Sequence, residues 1–254
     1  MGQEPDVTIV AKSSSAVCMQ WRTTCRYSQT PPRNDWEVPR KMTIERFVGR
    51  VAAVRLPSVF NPWGQRSPHD TSAGGPAARR RHLRAHLSIA DPALLIVGEA
   101  PGYRGCRYSG IPFTDERKLL AGAVPRVAPP SGRLTTFPLS LAELTATIMW
   151  KALFDFGVAE RTVFWSAFPW HPFRSPEQHT NRRPTVQELE LALPFLEETL
   201  ARYPDTHVAT LGRVAEWSLR RLGRATSPVL RHPANGGATA FRTGLHRLLR
   251  DYGL

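Results

Sequence analysis

Only three cysteines, Cys18, Cys25 and Cys106, occur in 254 residues. An odd number at wide, irregular spacing builds no disulfide framework and fits a reducing compartment. No C-x-x-C pair is present, which argues against a zinc ribbon, and three cysteines cannot supply a four-cysteine iron–sulfur site. No stretch approaches ~20 consecutive apolar residues, so no membrane-spanning helix is read. No basic segment followed by an apolar one opens the chain, and no export signal is read. These absences lead to an expected place in the bacterial cytosol or nucleoid. Lysine is also scarce. Of the 34 Lys plus Arg residues only Lys12, Lys41, Lys118 and Lys151 are lysines, against 21 Asp plus Glu and a net charge of +13. That balance excludes an acidic disordered chain. It fits a polyanionic partner, most simply nucleic acid, or an arginine-rich surface with no such partner.

What is present has the texture of an α/β protein, and its length suffices for a real core. Residues 1–41 are polar, rich in Ser and Thr, and broken by Pro31, Pro32 and Pro39. They read as a weakly ordered extension, with Met42 as a candidate alternative start, and residues 42–254 as a single domain. Residues 61–77 read as loop. Ala78 to Leu87 reads as a helix, with Leu83 and Leu87 four apart. Residues 94–97, Leu-Leu-Ile-Val, form an unbroken apolar run, as expected of a strand buried on both faces. Further strands are expected at 162–165, 207–211 and 229–230. Helices are expected between them: one opened by a Ser140/Glu143 capping box and stopped at Gly157, one opened by a Thr185/Glu188 box, one at 213–222, and one carrying Phe241, Leu245 and Leu248. Strands alternating with helices imply a parallel sheet covered on both faces. Ligands in such sheets bind at the carboxyl ends of the strands, so the turns after the strands are the place to look.

After the first strand comes Gly98-Glu-Ala-Pro-Gly102. Its spacing is not that of a P-loop and no Lys follows, which argues against a nucleoside triphosphate site. Ser109-Gly-Ile-Pro-Phe-Thr114 lies just beyond. Ser166-Ala-Phe-Pro-Trp-His171 follows the second strand, then Asn181-Arg-Arg-Pro-Thr185. His232-Pro-Ala-Asn-Gly-Gly237 follows the last strand. Together, in this order over about residues 90–250, these segments resemble the uracil-DNA glycosylase superfamily, in the form of the Gly-Glu-Ala-Pro-Gly branches but without their iron–sulfur cysteines.

The resemblance implies a three-layer α/β/α sandwich around a short, four-stranded parallel sheet. It implies a pocket for one extrahelical base, whose N-glycosidic bond is hydrolysed. His232 would donate a hydrogen bond to a carbonyl oxygen of the departing base. Phe113 would stack on that base, unless it is a core residue. Gly98, Glu99, Ala100, Pro101 and Gly102 would form the pocket floor. The superfamily's best-known branch has a water-orienting Asp where this chain has Ala100, leaving Glu99 or Glu116 as the carboxylates to polarise water or stabilise the cationic sugar. Ser166 falls where much of the superfamily has an Asn that reads the uracil edge, and a hydroxyl offers less than an amide. Tyr103 and Arg107 are further candidates for substrate contact, and Asn235, Gly236 and Gly237 for contact with DNA. The cluster Arg79, Arg80, Arg81 and Arg84 contacts DNA or forms a solvated helix face. Cys106 has no base beside it, and thiol catalysis is not expected.

The expected protein is thus a monomeric, membrane-free DNA repair glycosylase that needs no cofactor or metal, acts on uracil-containing DNA and releases free uracil. Ser166 keeps a glycosylase for hypoxanthine or xanthine in play. Ala100 does the same for a non-catalytic DNA-binding relative.

Overall fold

The apolar runs form one parallel sheet in the protein's structure, a computed structural model that describes residues 42–224 and 229–254. The reading of residues 1–41 lies outside the described residues. The sheet's strands are β2 (Leu94–Gly98), β3 (Thr162–Ser166), β5 (His207–Leu211) and β6 (Val229–Leu230), in the order β3-β2-β5-β6. All neighbours run parallel, and the register aligns the last residues of β2 and β3, Gly98 opposite Ser166. A separate antiparallel pair, β1 (Val59–Phe60) with β4 (His171–Pro172), lies outside the main sheet.

Side chains on successive strand residues point to opposite faces, and the core divides accordingly. Leu95, Val97, Val163 and Trp165 join one apolar cluster with α1 (Ile44–Ala53), α2 (Pro76–Leu87), α6 (Val186–Arg202) and α7 (Arg213–Arg221). Leu94, Ile96 and Phe164 join the other, with α4 (Glu116–Leu120), α5 (Leu144–Asp155) and α8 (Ala238–Asp251). The result is three layers, α/β/α, as expected. Each fully buried Leu, Ile, Val or Phe in the two clusters contributes about 1.5–3 kcal/mol.

Three local readings have clear outcomes. Thr185 and Glu188 do form a reciprocal capping box at the start of α6. The Ser140/Glu143 box does not form: α5 starts at Leu144 with Glu143 as its N-cap, and the Glu143 side chain makes no capping bond. The cluster at the start of α2 is also not a uniform basic face. Arg79 is buried, pairs with Asp70 at 2.7 Å, and donates to the carbonyls of Pro62 and Gln65. Arg80 donates to the Trp63 carbonyl at 2.6 Å. Both tie α2 to the 61–70 loop, so neither the DNA-contact nor the solvated-face reading describes Arg79.

Candidate functional site

The carboxyl ends of β2, β3 and β5 open into a cavity of ≈ 420 Å³. That size lies within the range of small-molecule sites. Gly98, expected in the pocket floor, is the last residue of β2 and does not itself line the cavity. A Cβ placed there would collide with the Phe113 ring, so glycine is what lets the ring lie against the strand end. Phe113 itself has φ +52°, a left-handed backbone rare for a bulky residue. The turn that imposes it is pinned from several sides. The Ser109 hydroxyl bonds the Ile111 and Thr114 carbonyls, and Trp150 Nε1 donates to Thr114 Oγ1 at 3.1 Å. Phe113 packs edge-on to Phe164 with centroids 5.3 Å apart and also lines the cavity. Such strain persists only where the surroundings over-determine the conformation. The following loop is held by main-chain bonds from Ala167 and Phe168 to the Gly98 and Glu99 carbonyls, at 2.8 and 2.9 Å.

His232 lines the same cavity, two residues beyond β6. Its Nδ1 accepts the Ala234 backbone N–H at 3.2 Å. Burial, and secondarily Arg231, lower its pKa from the ordinary 6.5, so the imidazole is neutral at pH 7. A neutral ring whose Nδ1 accepts carries its proton on Nε2. The loop thus prepares one N–H donor on the cavity wall. Its shape depends on Asn235 and Gly236, both at positive φ, and on Gly237, where a Cβ would collide with the His232 carbonyl oxygen. These three residues shape the His232 loop. Asn235 and Gly236 are exposed and Gly237 is buried.

Glu99, Ala100, Pro101 and Gly102 all line the cavity, as does Ser166, whose residue is buried at the end of β3. Burial raises the Glu99 pKa, opposed by Arg183. Glu116 is placed differently. It is fully buried, and its oxygens accept from the backbone N–H groups of Leu134, Thr135 and Leu141 and from the Thr135 hydroxyl, at 2.7–3.0 Å. That carboxylate is occupied in holding the 134–141 segment and does not line the cavity. Arg107 lies behind the cavity wall. Its guanidinium bonds His171 Nδ1 and Gln178 Oε1, both at 2.9 Å, and sits 3.8 Å over the Phe60 ring. Tyr103 faces an adjoining groove shared with Arg104, Arg117, Phe137 and His179.

Asn181 and Glu143 are among the cavity residues that were not assigned a role from sequence. Asn181 stands exposed at the rim, where Oδ1 accepts the Tyr103 backbone N–H at 3.0 Å. His171 Nε2 stands 3.2 Å from the same oxygen. Burial first, then Arg107, lowers the His171 pKa to about 3, so this ring too is neutral and donates from Nε2. Arg107 thereby acts at one remove: it orients His171, whose Nε2–H lies 3.0 Å from the Thr180 carbonyl as well as near Asn181 Oδ1. Its motif was visible in the sequence, but its place at the rim was not. Glu143 lines the same cavity from the start of α5. In sequence it carried only the signal of a helix cap.

Cys106 is buried, and burial together with Glu143 holds its thiol well above the ordinary range, as suits an inert side chain. Among the described residues no group of three or more His, Cys, Asp or Glu is placed to hold a metal ion. The chain's three cysteines do not fit a four-cysteine cluster. Among the described residues no helix is long and apolar enough to cross a membrane.

Residues 85–247 match the family model of the uracil DNA glycosylase superfamily. The chain has no match among curated proteins. Among solved structures, that of wild-type Pedobacter heparinus SMUG2 is similar, with a TM-score of 0.59 and 14% sequence identity. The similarity covers 83% of this chain and 97% of that one.

Proposed function

Because the chain belongs to the uracil DNA glycosylase superfamily, we propose that it is a DNA repair glycosylase of the cytosol that flips uracil out of DNA and hydrolyses its N-glycosidic bond. Free uracil and an abasic site are the products. The observation that carries the reading is His232: a neutral imidazole, its Nδ1 occupied by Ala234, offers Nε2–H to the cavity that Phe113 floors. As the C1′–N bond breaks, negative charge grows on the base, and a fixed donor aimed at a base carbonyl stabilises it. Phe113 provides the stacking surface. Asn181 presents its amide at the rim, where Ser166 alone would leave the base edge with a single hydroxyl.

Ser166 also favours a second reading, a glycosylase for hypoxanthine or xanthine. Oligonucleotides carrying uracil, hypoxanthine, xanthine or a thymine mismatch, treated with the protein and then with mild alkali, decide between them. Strand cleavage at uracil supports the first reading. Cleavage at hypoxanthine or xanthine with uracil untouched supports the second. Tight binding with no cleavage at any base rejects both and leaves a DNA-binding relative.

The same reading gives the positive charge a direction. Arg183 is exposed, follows the rim residues Asn181 and Arg182, and is close enough to act on Glu99. Arg161 is exposed just before β3, at the opposite end of the sheet. Replacing Arg183 by Ala should weaken DNA binding and reduce the slope of log K against log salt by about 1. Replacing Arg161 by Ala should leave both unchanged. Fluorescence anisotropy across a salt series checks it.

A further inference from the structure

The glycosylase reading still needs a group that receives the proton of the attacking water, and the resemblance's position for it is filled by Ala100, which has none. We propose that Glu143, the N-cap residue of α5, is the carboxylate that holds and deprotonates that water. This role rests on the glycosylase reading.

Three observations converge on it. Glu143 lines the cavity beside Ala100 and Gly102, in the same space as His232 and Phe113. Its carboxylate lies directly against the loop that follows β2. A Cβ on Gly105 would collide with Oε2, and one on Gly102 would come within 3.2 Å of Oε1. The second and third glycines of Gly98-Glu-Ala-Pro-Gly-Tyr-Arg-Gly105 therefore make room for an acid that comes from a distant helix. Finally, among the described residues no hydrogen-bond donor and no cation is paired with the Glu143 carboxylate, although its own backbone N–H is fixed by Asp115 at 2.8 Å. A partly buried acid with its main chain anchored and both oxygens uncommitted is available to a water. Glu116, four-fold bonded, is not.

The electrostatic setting agrees with the geometry. Burial, then the neighbouring Asp115, raise the Glu143 pKa to about 7, and Lys118 opposes them. Asp115 and Lys118 face it from α4, and the Cys106 thiol from the short helix α3 (Cys106–Ser109). Glu99, Arg182 and His232 share the cavity. General bases work best with a pKa near the operating pH. In the step itself the water oxygen bonds C1′ while the C1′–N bond breaks. The bonding pair leaves on the base as its anion, held by His232, and the water proton passes to Glu143. That proton then returns to solvent or to the departing base, so that water plus nucleotide become abasic site plus free base.

Single-turnover base release from a uracil oligonucleotide, measured from pH 5 to 9, tests the role. Wild type should lose activity as pH falls through about 7, because the working form is the carboxylate. Glu143→Gln should slow release by about 10²–10⁴-fold, the usual weight of a general base, and lose that acid limb. Glu143→Asp should recover part of the rate, since it keeps the carboxylate. Circular dichroism and oligonucleotide affinity should match wild type, because the bond to Asp115 uses the main chain. Wild-type activity and an intact acid limb in Glu143→Gln would overturn the proposal and leave the glycosylase reading standing. So would loss of the limb in Glu99→Gln with retention in Glu143→Gln. A wild-type protein that releases no base from any lesion removes the reading and this role together.

Discussion

Replacing His232 by Ala is expected to lower the rate of base release by about 10²–10³-fold, the loss typical of removing one donor aimed at developing charge. The direction follows from the proton inventory of the ring. Nδ1 is committed to the Ala234 N–H, so a neutral imidazole can only donate from Nε2. Burial lowers its pKa from the ordinary 6.5, so the donor state is the prevailing one at pH 7 and above. An acid limb near 7 that belongs to Glu143 survives in His232→Ala at a lower overall rate. Loss of the limb in that variant would assign the titration to the wrong residue. Phe113→Ala should behave differently. Losing a stacking surface costs roughly 1–3 kcal/mol per base, and it should appear largely as weaker binding of lesion DNA. Release at the wild-type rate from both variants would remove the cavity from consideration as the site of chemistry. The fold should survive both changes. His232 is only partly buried, and Phe113 sits at a strand end, on the margin of one core cluster.

The parts of this arrangement that depend on local order were legible in the chain. The unbroken apolar run at 94–97 can only be satisfied with both faces covered, and it and the strand candidate at 162–165 are β2 and β3. Gly98 ends β2 and the His232 loop follows β6, so finding the strands placed them at one end of the sheet. What was not legible depends on which segments meet across the fold. An arginine-rich stretch in sequence carries no sign that Arg79 is buried on Asp70, or that Arg107 is buried over Phe60. Both guanidiniums act inside the protein, in a chain whose charge suggested an external partner. The two glutamates were also interchanged. Glu116 stands next to the Phe113 motif in sequence but turns inward. Glu143, read as a cap, reaches the cavity because Gly102 and Gly105 leave space for it.

That exchange of roles makes Glu116 the place where stability, not chemistry, should be lost. Its carboxylate gathers three backbone N–H groups and one hydroxyl from the 134–141 segment. It also sits in the first turn of α4, where a negative charge meets the helix's positive end. Arg133 approaches it at 3.9 Å from a partly exposed position and adds little. Truncation to Ala leaves buried donors of Leu134 and Thr135 without acceptors. Each such group costs about 1–3 kcal/mol. The total should be roughly 3–5 kcal/mol, the usual result of removing one member of a buried charged network. For a domain of this size that is a fall in Tm of roughly 10 °C. Glu116→Gln should fall between, because its amide keeps one acceptor and turns two donors toward groups that also donate. Urea denaturation measures the loss, and base release at low temperature, where Glu116→Ala is still folded, separates the two roles. A structural Glu116 leaves the folded protein's rate near wild type. A rate as low as that of His232→Ala, with the denaturation midpoint unchanged, would return this carboxylate to the chemistry despite its four hydrogen bonds.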